Sequence, residues 1–186
     1  TPADPNQTDR ITRWAMSNPG NHAVFMGRAK MAMIPDENGK PFFGDDYVYR
    51  YGRMETIRSG DALALVTAGN MMAEASDAWC QLNDRGHRIA LISVSDWSDL
   101  HPDDIAMLSS FERIITLEDH NVKTGLGNAI TVALADTGYR GCVLRKGVTE
   151  YGASGKPADL YKRLCLDAES VVKSVISILD KQSVKS

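Results

Sequence analysis

The chain has 186 residues, 43% of them hydrophobic, and a formal net charge of −3. That length suits one domain with room for part of a second, with enough apolar material for a full core. Mild charge of both signs, with no Lys/Arg cluster and no acidic run, argues against nucleic acid as a partner. No segment approaches the roughly 20 apolar residues that cross a bilayer, which argues against a membrane span.

In chain order, Asp4 is a helix N-cap with Pro5 at the first helical position, and Ile11, Trp14 and Ala15 follow at helical spacing. Asn18-Pro19-Gly20-Asn21 breaks that helix. His22–Arg28 reads as a short buried strand, with the Arg28 guanidinium emerging at its carboxyl end. Residues 35–46, rich in polar residues and breakers, read as a linker. The remainder alternates strand and helix. Tyr47–Tyr51 is expected as an edge strand, Ala62–Thr67, Ile89–Val94 and Ile114–Leu117 as buried strands, and Cys142–Leu144 as a further strand. Helices are expected after Asn70, over Asp103–Leu108, after Gly127, over Asp159–Leu164 and over Ala168–Leu179. The pattern predicts an α/β fold of three layers, α/β/α. Its five-stranded sheet is mostly parallel, with one antiparallel edge strand. Cys80, Cys142 and Cys165 show no CxxC spacing and are expected as buried free thiols of a cytoplasmic protein.

In such sheets ligands sit beyond the carboxyl ends of the strands. The loops there run over Thr67–Asn70, Ser95–Trp97, Glu118–Gly127 and Arg145–Gly155. Glu118 and His120 share one face at a strand end. A carboxylate beside an imidazole can tune a general base. The neighbouring Asp119 and Asn121 equally suit capping of loop backbone, and capping is the plainer reading. Gly125 and Gly127 at a helix N-terminus suit either an anion or close packing of helix on sheet. They fail as a dinucleotide fingerprint, because Ile130 stands where a third glycine belongs. Ser154-Gly155-Lys156 fails as a phosphate loop, because Pro157 follows the lysine.

The segments Tyr51–Asp61, Thr67-Ala68-Gly69, Thr116–Ile130 and Gly147–Gly155 resemble, in this order, the C-terminal domain of the transketolase family of thiamine diphosphate enzymes. Thr124 departs from the family's more usual Gly-Gly-Leu-Gly, while Tyr151-Gly152-Ala153-Ser154-Gly155 is similar to the Phe-Gly-x-Ser-Gly of transketolase itself. The resemblance implies that residues 1–34 are a remnant of the preceding pyrimidine-binding domain, helix plus strand, and that residues 47–182 form the C-terminal domain. It implies a cytoplasmic homodimer that transfers a two-carbon ketol unit between sugar phosphates, with Arg28 contacting the substrate phosphate and Glu118 in a structural or interface motif. No catalytic residue is expected on this chain. Thiamine diphosphate and magnesium would be held by domains absent here, since neither Gly44-Asp45-Asp46 nor Gly60-Asp61-Ala62 completes the family's Gly-Asp-Gly. Two alternatives stand beside this. One is the related domain of a deoxyxylulose phosphate synthase or a keto-acid dehydrogenase beta subunit, acting as a partner-binding module. The other is a small nucleotide-binding regulator that uses Gly125–Gly127.

Overall fold

The computed structural model describes residues 1–28 and 30–180; residues 181–182, at the end of the expected C-terminal domain, lie outside them. Helix α1 (Pro5–Ser17) comes first, followed by a long irregular stretch and then β1 (Met54–Arg58) and β2 (Leu63–Thr67). Next come α2 (Met71–Asn83), β3 (Ile89–Val94), α3 (Pro102–Ser109), β4 (Arg113–Asn121) and α4 (Leu126–Asp136). The chain closes with β5 (Cys142–Val148), α5 (Pro157–Arg163) and α6 (Ala168–Asp180). The five strands form one sheet in the order β1-β3-β2-β4-β5. β1 runs antiparallel to β3 at one edge, and all other pairs are parallel.

Strand periodicity divides the core in two. Leu63 and Leu65 point to one face, where they meet Met72, Ala75 and Leu82 of α2 and Val171 and Val175 of α6. Ala64 and Val66 point to the other, against Ile105 and Leu108 of α3 and Ile130 and Leu134 of α4. Both faces of β2 and β3 are therefore covered, which is why those strands are apolar throughout. Among the described residues, no helix is long and apolar enough to cross a membrane.

Three expectations are corrected. The antiparallel edge strand is Met54–Arg58, not Tyr47–Tyr51. The tyrosines pack from irregular backbone instead: Tyr47 edges onto Phe43, while Tyr49 and Tyr51 pack on Trp14. His22–Arg28 is not a strand; it is unpaired and largely exposed, because no sheet edge comes alongside it. The cysteines are free but exposed, on the outer side of α2, at the start of edge strand β5 and just past α5.

Helix α1 is bonded to the sheet domain. Asp4 caps it through Gln7 N at 2.8 Å and also accepts from Ile34 N at 3.2 Å. Gln7 Nε2 reaches the Tyr47 hydroxyl at 3.5 Å, and that hydroxyl donates to Glu55 on β1 at 3.2 Å. Ala3, Ile34 and Phe43 are buried in the same core cluster as β2 and α2.

The edge strand is held by a two-pronged ion pair. Arg53 Nε and an Arg53 Nη donate to the two carboxylate oxygens of Asp104 at 2.9 and 2.8 Å, and Met54 N donates to the same group at 2.9 Å. Burial alone would raise the Asp104 pKa; the Arg53 and Met54 bonds outweigh it and hold the carboxyl below the usual range. Asp104→Ala is expected to cost about 2–3 kcal/mol in urea unfolding, less than a fully buried pair because the Arg53 side chain keeps 28% exposure. With the folded pKa depressed, this contribution is complete above the unfolded carboxyl value of about 3.9 and is lost as pH falls through the lower folded value. The difference between wild type and Asp104→Ala should therefore shrink in acid; a constant difference would show that packing, not the ion pair, is lost.

Candidate functional site

Glu118 lies near the carboxyl end of β4 and is fully buried. Its two oxygens accept from the amides of Leu126 and Gly127 at 2.7 and 2.8 Å, in the first turn of α4. These free amides and the helix dipole favour an anion, and the anion they hold is this side chain. Space for it comes from glycines. A Cβ on Gly125 would lie 1.7 Å from Glu118 Oε2, and one on Gly147 of β5 2.9 Å from Glu118 Cγ. A Cβ on Gly127 would sit 2.4 Å from Thr116 Oγ1. Burial raises the Glu118 pKa, and the two amides oppose the rise. Gly125 and Gly127 thus surround an internal carboxylate, and Gly147 belongs to β5 rather than to the loop that follows it.

His120, two residues on, faces outward at the strand end and is half-buried. Its Nδ1 lies 3.1 Å from Asp119 Oδ1, in ion-pair range but off the line of a good hydrogen bond. The Asp119 carboxylate pushes the His120 pKa up, against the effect of burial. The ring stands edge-on to Trp97, with centroids 5.1 Å apart.

Arg28 is exposed and has no ion-pair or hydrogen-bond partner among the described residues. Its neighbour Gly27 runs against Asn70, at the start of α2 just beyond β2; a Cβ there would lie 2.2 Å from Asn70 Nδ2. Arg28 therefore stands beside the carboxyl edge of the sheet without being on a strand. Glu118 and His120 share that edge by way of β4. Among the described residues no three His, Cys, Asp or Glu side chains gather into a group that could hold a metal ion. Sequence reasoning did not find the Arg53–Asp104 pair or the Gln7–Tyr47–Glu55 chain, which join residues far apart in sequence with no periodic signal.

Glu118→Gln tests the capping role. A neutral amide keeps one acceptor oxygen but turns an NH2 toward the second backbone N–H. The expected loss is about 1–3 kcal/mol of unfolding free energy, read from the urea midpoint. An unchanged midpoint would show that the two amides do not depend on the carboxylate.

The family described as "Transketolase, C-terminal domain" matches residues 52–171. The chain is similar to one subunit of the apulose-4-phosphate transketolase of Actinobacillus succinogenes, at 24% identity over 95% of this chain and 55% of that protein. It is similar to a "Putative transketolase C-terminal section" of Methanocaldococcus jannaschii, at 25% identity over 97% and 55%. It also resembles the 1-deoxy-D-xylulose-5-phosphate synthase of Thermomicrobium roseum, at 29% over 76% and 23%. Among solved structures, "Split gene transketolase, inactive beta4 tetramer" superposes with a TM-score of 0.85 at 24% identity, over 96% of this chain and 56% of that one. The chain spans about half the length of the first two of these relatives. It belongs to the transketolase C-terminal domain family.

Proposed function

We propose that this chain is the C-terminal part of a thiamine diphosphate-dependent enzyme that transfers a two-carbon ketol unit between sugar phosphates in the cytoplasm. The chain supplies packing against the remaining cofactor-binding domains, surface for a homodimer and, through Arg28, a contact to the substrate phosphate. The observation that carries this reading is the family match over residues 52–171, joined to two relatives of which this chain spans about half. One of them is named as a transketolase subunit and the other as a transketolase C-terminal section. The likeness to a deoxyxylulose phosphate synthase favours a second reading, in which the same domain serves that related enzyme. The two differ in the two-carbon unit transferred, since a 1-deoxy product lacks the hydroxyl that a ketol unit carries.

The chain alone is expected to give no heat of binding with thiamine diphosphate and magnesium, and no turnover in a coupled sugar-phosphate assay. Together with the cofactor-binding part of the enzyme it is expected to support ketol transfer. Micromolar cofactor binding by the pure chain, or an inactive complete enzyme, would overturn the proposal.

Arg28→Ala in the complete enzyme should lower kcat/KM for a sugar phosphate roughly ten- to hundredfold, because a charge-assisted bond contributes on the order of 1.5–3 kcal/mol. The free sugar should barely change, and Arg28→Lys should restore only part of the loss, since an ammonium lacks the planar two-point contact. Equal losses on both substrates would mean that Arg28 supports the fold and does not read the phosphate.

A further inference from the structure

A cavity of about 350 Å³ lies between α1, the unpaired stretch after it and the loop that follows β3. Its size is at the small end of the range for small-molecule sites. Its walls carry the rings of Trp14, His22, Tyr49, Tyr51 and Trp97 and one carboxylate, Asp96. Among the described residues no Lys or Arg side chain lines it.

The rings are held by one another. Trp14 and Tyr51 stack with centroids 4.8 Å apart and planes 2° from parallel. Tyr49 and His22 meet Trp14 edge-on at 5.8 and 5.2 Å. Trp97 is braced from behind by His120. Asp96 is fixed as well: it accepts from Ser98 N at 2.8 Å and Ser98 Oγ at 2.7 Å, and from the Tyr51 hydroxyl. Burial alone would raise its pKa, but these bonds outweigh it and keep the carboxyl ionised.

The charge pattern selects the ligand. The faces of the rings are electron-rich and attract cations. A fixed carboxylate adds a full negative charge; among the described lining residues no Lys or Arg side chain opposes it, and the group that does is the Thr1 amino group. A sugar phosphate would be repelled here. We infer that this cavity is a binding site for a small organic cation, with an alkylammonium head against the rings of Trp14, Tyr49, Tyr51 and Trp97 and its charge compensated by Asp96. The site uses no residue assigned above to the proposed reaction, and it stands whether or not that reading of function holds.

The amino group of Thr1 shares this corner, donating to Ser95 O at 2.7 Å. Burial pushes its pKa below the ordinary 8.0, with Asp96 opposing, and the titration is run at pH 8.5, above that ordinary value. The probe is choline chloride, with sodium chloride at matched ionic strength as the reference, read on the tryptophan indole resonances by NMR. Trp14 and Trp97 line the cavity. Trp79, whose indole donates to Ile89 O at 2.7 Å, reports on the fold elsewhere.

Saturable shifts of Trp14 and Trp97 are expected, with Trp79 unmoved. Asp96→Asn should weaken binding roughly tenfold, and so should replacing choline by the neutral isostere 3,3-dimethylbutan-1-ol. Tyr51→Leu, at a half-exposed ring, gives a second variant expected to weaken binding in the same direction should Asp96→Asn disturb the fold. No saturable shift, a parallel shift of Trp79, or equal binding of the neutral isostere would each overturn the proposal.

Discussion

The constraint that organises this domain is a buried negative charge. Taking the Glu118 carboxylate out of water is costly unless hydrogen bonds and a favourable field replace its hydration. Two backbone amides and the N-terminal end of α4 do so, at 2.7 and 2.8 Å. The arrangement is possible only where backbone approaches the carboxylate without side chains. Gly125 and Gly127 on one segment and Gly147 on the neighbouring strand meet that need. One side chain thereby joins β4, β5 and the start of α4, and fixes the end of the strand from which His120 projects.

The same buried carboxylate explains a sequence pattern that could be mistaken for a cofactor fingerprint. Glycines before a helix that follows a strand usually invite the reading of a phosphate cradle. Here the amides they expose are satisfied from within. The acidic residue that signals this lies seven residues before the first of the glycines, on the strand itself, which is why Glu118 and the glycines read as one motif.

Legibility followed local pattern. β2 and β3 are uniformly apolar because both their faces are covered, and α2, α4 and α6 carry stripes that repeat with the helix. These are plain in the sequence. The edge is not. Tyr47–Tyr51 has high strand propensity, but its aromatic side chains are used from irregular backbone, with Tyr47 against Phe43 and Tyr51 stacked on Trp14. Propensity of this kind records a fit to a half-buried surface, and a loop that packs its rings inward presents the same composition. The apolar run after His22 misleads for a related reason: a strand needs an available edge, and single-chain composition does not say where edges are. The Glu118 cap follows a local rule and is legible as capping, whereas the Arg53–Asp104 pair spans 51 residues and leaves no trace in any window.

The irregular N-terminal stretch, read by resemblance as the end of a preceding domain, is hydrogen-bonded to the sheet domain. Asp4 bonds Ile34, Gln7 reaches Tyr47, and Tyr47 reaches Glu55 on the edge strand. Those bonds fix α1 against the sheet, and with it the chain that passes Asn70 carrying Arg28. The consequence is a rim with two opposed chemistries. Beyond β2 stands an exposed guanidinium without a partner among the described residues, suited to an anion. Beyond the adjacent β3 stands Asp96 amid aromatic rings, suited to a cation. Neighbouring strand ends of one sheet, differing only in the loops that leave them, thus carry charges of opposite sign.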